Sequence, residues 1–143
     1  RCSRRAILAA MKDACLRGTY LLDLGNRAAD GQALLGQIGR LTPREKAPAD
    51  HVDLPSPYTL LPELVAPGAE PDDAPSCSLA EALERQELFV NDDVTRAAAV
   101  ILWTMLRHGK LAWHGAFCNT ATGRRSVVPV DPVAWERMQR GGK

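Results

Sequence analysis

Aromatic residues are scarce in this chain of 143 residues: three Trp, two Tyr and two Phe make up 5% of it. Long apolar runs are missing too. The longest strongly apolar stretch without a charge is Ala97–Leu106. About 20 such residues are needed to cross a bilayer, so no membrane span is expected. Cysteine is sparse and scattered: Cys2, Cys15, Cys77 and Cys118 contain no C-x-x-C pair. A chain of this size needs no covalent staples, so a reducing, cytoplasmic setting is expected. Near the start, Lys12 and Asp13 interrupt the apolar Ile7–Ala10 stretch too early for a signal-peptide core. The first residue is Arg1 rather than Met, which predicts a trimmed chain or a piece of a longer one.

Catalytic signatures are missing as well. There is no G-x-S-x-G elbow, no catalytic-cysteine signature and no phosphate-cradling G-x-x-x-x-G-K-[ST] loop. Glu81, Glu84 and Glu87 fall together, but read as a solvated helix face. His108, His114 and Cys118 have the spacing H-x5-H-x3-C, and in a hairpin His114 and Cys118 would point to one face. Zinc sites pair ligands more closely and need a fourth. Surface histidines and a buried thiol are therefore expected, with no metal and no cofactor. Cys118 could be activated by neighbouring Arg124 and Arg125, but no third group orients a Cys–His pair. The expectation is a protein that is not an enzyme.

What is present is an ordinary globular composition, 45% hydrophobic and 24% charged with net charge +1, and length enough for a substantial core. The net charge hides a segregation. Residues 1–20 carry +4, residues 21–40 carry 0, residues 41–93 carry −9 and residues 94–143 carry +6. Such asymmetry says more than the total. Arg outnumbers Lys 14 to 4.

Three segments follow. Residues 1–42 read as an N-terminal helical segment. Ile7, Met11, Cys15 and Leu22 recur at helical spacing over 4–24, although Thr19–Leu24 also suits a short strand. Ala33–Ile38 reads as a second, short helix. Residues 43–76 form a proline-rich acidic arm, with eight of the ten prolines in 43–75. That density excludes a helix interior or central strand. Its apolar centre, with Tyr58, Leu60, Leu61 and Leu64, is expected to pack as an extended arm over its own domain or over a protein partner.

Residues 77–143 form a basic module. Ser78 and Glu81 make a capping box for a helix over Ser78–Phe89. Asn91-Asp92-Asp93 breaks the chain, and a second helix runs from Val94 to about His108, stopped by Gly109. Lys110–Cys118 and Arg124–Val130 form a hairpin, and Asp131-Pro132 starts a last helix with Val130 stapled to Trp135. A weak internal echo links Leu16–Gly25 to Leu106–Gly115, and Leu54–Tyr58 to Val130–Trp135. A duplication would give two helix–hairpin–helix halves.

Leu106-Arg107-His108-Gly109-Lys110-Leu111, the loop ending Thr122-Gly123-Arg124-Arg125, and Ser126–Val130 are similar to the last helix and wing of bacterial winged helix-turn-helix regulators of the MarR type. The resemblance covers about residues 78–135. It implies that Ser78–Phe89 and Val94–His108 are the two helices of the turn motif and that Arg124 and Arg125 are wing contacts to DNA. Asp92 and Asp93 stand where the helix start should meet phosphate, which argues against sequence-specific reading.

The expected fold is mainly α with a small β-hairpin: a winged-helix-like C-terminal part, N-terminal helices and a proline-rich extended arm. The expected function is a non-enzymatic accessory protein that binds nucleic acid. Arg96, Trp103, Arg107 and Lys110 share one helix side opposite the Val94-Ala98-Ile101-Met105 stripe, and Arg124 and Arg125 extend the surface. Trp can stack on bases while Arg contacts phosphate. The alternative is an adaptor or small subunit. It would bind a partner, or another copy of the chain, through Tyr58, Leu60, Leu61 and Leu64 of the apolar Leu54–Val65 arm and through the Trp103/Trp113 surface. The acidic arm either masks the basic surface or serves a different partner.

Overall fold

Among the described residues four strands set the frame: β1 (Thr19–Asn26), β2 (Asp30–Ile38), β3 (Trp113–Asn119) and β4 (Arg124–Pro129) form one antiparallel sheet in the order β1-β2-β3-β4. The computed structural model describes residues 4–13, 19–39, 46–66 and 89–141. Helices α1 (Arg4–Asp13), α2 (Pro57–Leu60), α3 (Val90–His108) and α4 (Pro132–Gly141) surround the sheet, with a 3-10 turn at Pro62–Val65.

This corrects the mainly α expectation. The Ala33–Ile38 run is not a helix but the inner part of β2, and β1 replaces the second half of the helix expected over 4–24. The physical reason is burial on both faces. Gly31 and Ala33–Gln37 are all buried, so β2 shows a continuous apolar run instead of alternation, and helix and central strand look alike in such a run.

The wing is corrected too. β3 pairs with β2 through Asp30↔Asn119 to Leu34↔Gly115, so the basic hairpin is the second half of the sheet. Asn91-Asp92-Asp93 is not a break but lies in the first turn of α3, where carboxylates complement the helix dipole. Most of the expected Ser78–Phe89 helix lies outside the described residues.

Two cores follow from strand alternation. On one face Ala33, Ala116 and Cys118 pack with Val94, Ala97 and Ala98 of α3, with Leu22 and Trp113 at the margin. The helix comes close because Gly31 opposes it: a Cβ there would lie 2.3 Å from Val94 Cγ2. On the other face Leu34 and Val128 pack with Leu60 of α2 and Trp135 of α4, joined by Leu54, Leu61, Leu64, Phe117 and Val130.

The described part of the proline-rich arm, residues 46–66, is thus a structural layer of its own protein. Ser56 caps α2, its Oγ accepting from Thr59 N at 3.1 Å, with Pro57 at the start of the helix. Both fit the capping preferences of Ser and Pro. Gly36 lets Pro55-Ser56-Pro57 cross directly over β2.

On this second face α1 is tied down by Arg4, whose Nε donates to Asp23 Oδ2 at 2.7 Å and whose Nη2 donates to Asp23 Oδ1 at 3.1 Å. Tyr58 OH also donates to Asp23 Oδ2, at 3.1 Å. Among the described residues the order helix–hairpin–helix occurs twice. The leading helices pack on opposite faces, however, α1 beside Asp23 and α3 over Ala33, so the packing does not repeat.

Candidate interaction surface

Helix α3 is the longest helix among the described residues and packs with Val90, Val94, Ala97, Ala98 and Ile101 buried. Gly109 stops it at φ 64°, its N–H bonded to Met105 O at 2.9 Å. This is the left-handed cap that glycine adopts without strain. At 3.6 residues per turn, residues 92, 96, 99, 103 and 106 fall opposite the buried stripe.

That opposite side carries a large apolar strip. Trp103 is 64% exposed and Leu106 79%, with Val100 at 44% on the flank and Phe89 at 68% just before the helix. Leu102 is also exposed. Single exposed apolar residues are ordinary, but a run of them along one helix marks an interaction site. Arg107 lays its guanidinium carbon 5.9 Å from the centre of the Trp103 ring, within cation–π range. The structure thus brings Arg96, Trp103 and Arg107 together on one face. Phe89, Val100 and Leu106 were missed by the sequence reading. Their signal was the apolar spacing on the supposedly polar side of the helix.

The cations of this region have acidic neighbours. Arg96 Nη2 lies 3.4 Å from Asp92 Oδ2, Arg125 Nη2 lies 2.7 Å from Asp93 Oδ1, and Lys110 Nζ lies 2.7 Å from Asp50 Oδ2. Lys110 holds the Asp50 carboxyl below its ordinary range by a hydrogen bond and by its charge, and Asp50 raises Lys110 in return. Exposed pairs of this kind contribute little to stability, but they offset positive charge that phosphate would need. Arg125 continues the α3 surface through Asp93. Arg124 is its neighbour on the edge strand β4 and is exposed. The hairpin tip is ordered by Asn119 Oδ1, which accepts from Thr122 N and Thr122 Oγ1, both at 2.8 Å.

The arm residues expected to meet a partner lie elsewhere. Tyr58 and Leu60 are buried in their own core, and Leu61 and Leu64 pack half-buried against it. The expectation that they contact a partner is corrected: the Leu34 face of the sheet takes them.

His114 and Cys118 are not on one face. A register irregularity between Trp113 and Gly115 shifts the alternation, so His114 meets Trp135 edge-on at 5.3 Å, while Cys118 packs under α3. Burial pushes the Cys118 thiol up, and Asp93 adds to this against a smaller opposing effect of Arg125. The anticipated activation by arginine is therefore outweighed. Among the described residues no group of three or more His, Cys, Asp and Glu side chains could hold a metal.

A separate cavity of about 370 Å³ lies where Tyr20 and Gln37 approach the 48–54 segment, the end of α3 and Lys110. No helix among the described residues is long and apolar enough to cross a membrane. Comparison with protein-family models, curated proteins and solved structures finds no match to this chain.

Proposed function

We propose that this chain is a non-enzymatic interaction module, an adaptor or small subunit that docks a protein through the outer face of α3. The observation that carries the reading is the exposure of Trp103 and Leu106 along the second half of a helix whose other side is firmly packed. Trp and Arg side by side are the residue types that dominate binding energy at protein interfaces. The ion pairs on Arg96, Arg125 and Lys110 favour a protein partner over a phosphate backbone.

A second reading is favoured by one contact. Arg107 stacked by Trp103 also suits single-stranded nucleic acid, with a base on the ring and phosphate beside Arg107. Photo-crosslinking in cells separates the two. A crosslinking amino acid at position 103 or 106 is expected to yield a protein adduct, and one at exposed Glu136 is not. An adduct with nucleic acid would replace the first reading by the second, and no adduct from either position would refute both.

A further inference from the structure

We infer that the partner docked on α3 is a second copy of this chain, seated antiparallel across a twofold axis. The inference rests on the reading of α3 as the docking face and adds the identity of the occupant.

The order of side chains along the face is the reason. It begins with Asp92 and Asp93, passes Arg96, reaches Ala99 and Val100 at its centre, then Trp103 and Leu106, and ends with Arg107. A twofold interface matches every residue i with j and j with i. Setting Asp92 against the partner's Arg107 fixes the register of an antiparallel pair. In that register Arg96 faces the partner's Trp103, Ala99 meets the partner's Val100 at the axis, and Asp93 falls level with the partner's Leu106. Three oppositions are favourable, carboxylate to guanidinium, guanidinium to indole and apolar to apolar, while Asp93 keeps its carboxylate on Arg125 of its own chain.

Each Trp103 ring would then have its own Arg107 on one side and the partner's Arg96 on the other. The small Ala99 side chain at the crossing lets two helix axes approach closely. Antiparallel packing also opposes the two helix dipoles. The dipole of a single helix accounts for acidic residues at its start and basic ones at its end. It gives no reason for Val100, Trp103 and Leu106 to lie exposed between them. A second copy accounts for both.

The intramolecular pairs do not block this. Arg96–Asp92 is exposed on both sides at 3.4 Å, and such pairs are readily exchanged. One helix crossing is a small interface, so dissociation near about 10 µM is expected.

The test is sedimentation equilibrium of the full chain over about 1 to 500 µM, with two charge reversals and their mixture. Wild type is expected to reach twice the mass of one chain. Asp92→Arg alone, and Arg107→Asp alone, each set like charges together twice per dimer and are expected to weaken it at least about tenfold. Mixed, the two variants restore both oppositions and are expected to associate with each other. A wild type that stays monomeric throughout, or a mixture that associates no better than either variant, overturns the inference. If wild type is monomeric while position 103 crosslinks to a different protein, the twofold pairing fails and the docking face stands. If no adduct forms, both fall.

Discussion

His114 Nδ1 donates to the carbonyl oxygen of Leu35 at 2.6 Å. The bond holds β3 against the part of β2 that runs beyond their ladder. A carbonyl only accepts, so the ring proton sits on Nδ1 in the neutral form and the buried Nε2 carries the lone pair.

Burial lowers the His114 pKa from its ordinary value of 6.5, opposed in part by the Leu35 bond. In the unfolded chain the ring gains its proton near that ordinary value, while in the folded protein it resists. Between the folded and unfolded values the unfolded state binds more protons, so stability rises with pH. It is fully present above about 6.5 and falls as pH drops towards the lower folded value. Urea unfolding at pH 7.5 and 5.5 is the measurement. His114→Phe should flatten the difference between the two, at a constant cost of about 1–3 kcal/mol for the stranded Leu35 carbonyl. An equally steep acid loss in the variant would assign it to another group.

Asp23 is 6% exposed and is held by Arg4 and Tyr58. Arg4→Ala leaves the buried Asp23 carboxylate without its guanidinium and removes this tie between α1 and β1. The expected cost is about 2–4 kcal/mol, below the full value for a buried pair because the Arg4 head is partly exposed. Arg4→Leu with Asp23→Leu should recover much of that loss. A double variant no more stable than Arg4→Ala would show that α1 is anchored by something else.

Gly36 sits under the proline-rich arm. A Cβ there would lie 2.2 Å from Pro55 O, 2.6 Å from Pro57 Cδ and 2.9 Å from Ser56 Cα. Two of these are backbone atoms of a segment stiffened by prolines, so little can yield. Gly36→Ala should cost about 3 kcal/mol or more by denaturant unfolding. Gly123 has φ 66° in open space. Gly123→Ala meets only conformational strain there and should cost about 1 kcal/mol. The same contact decides what removal of the arm would do. Deleting 43–75 would strip Tyr58 and Leu60 from the core, so unfolding is expected rather than exposure of a masked surface.

The local signals were legible where one residue's chemistry decides the outcome. Asp131 Oδ1 accepts from Val133 N at 2.9 Å at the start of α4, and Trp135 and Val130 join one core as the staple predicts. The two strands of the basic hairpin and the Gly109 stop were legible for the same reason. β2 was not, because burial on both faces erases alternation. The role of the arm was not, because Pro density shows what a segment cannot be without showing what it packs against. On α3, the spacing placed Arg96, Trp103 and Arg107 on one side correctly. The carboxylates that offset the cations come from Asp50, remote in sequence, and from Asp92 and Asp93, whose inclusion in the helix depended on its starting at Val90.

Asp92→Asn combined with Asp93→Asn separates protein docking from nucleic-acid binding by the sign of its effect. Both positions are exposed or nearly so, so the fold should tolerate the change within about 0.5–1 kcal/mol. If α3 docks a second copy, the variant loses the carboxylate that faces the partner's Arg107, and self-association weakens. If the face binds single-stranded nucleic acid, the variant frees Arg96 and Arg125 from their ion pairs and removes repulsion of phosphate. Affinity then rises, and the slope of log K against log salt steepens by about 0.7 for each phosphate newly neutralised. Sedimentation and a salt-titrated binding assay on the same preparation read the two directions. Weaker self-association with no gain for nucleic acid is the outcome expected here, and tighter nucleic-acid binding at unchanged mass would reverse the assignment.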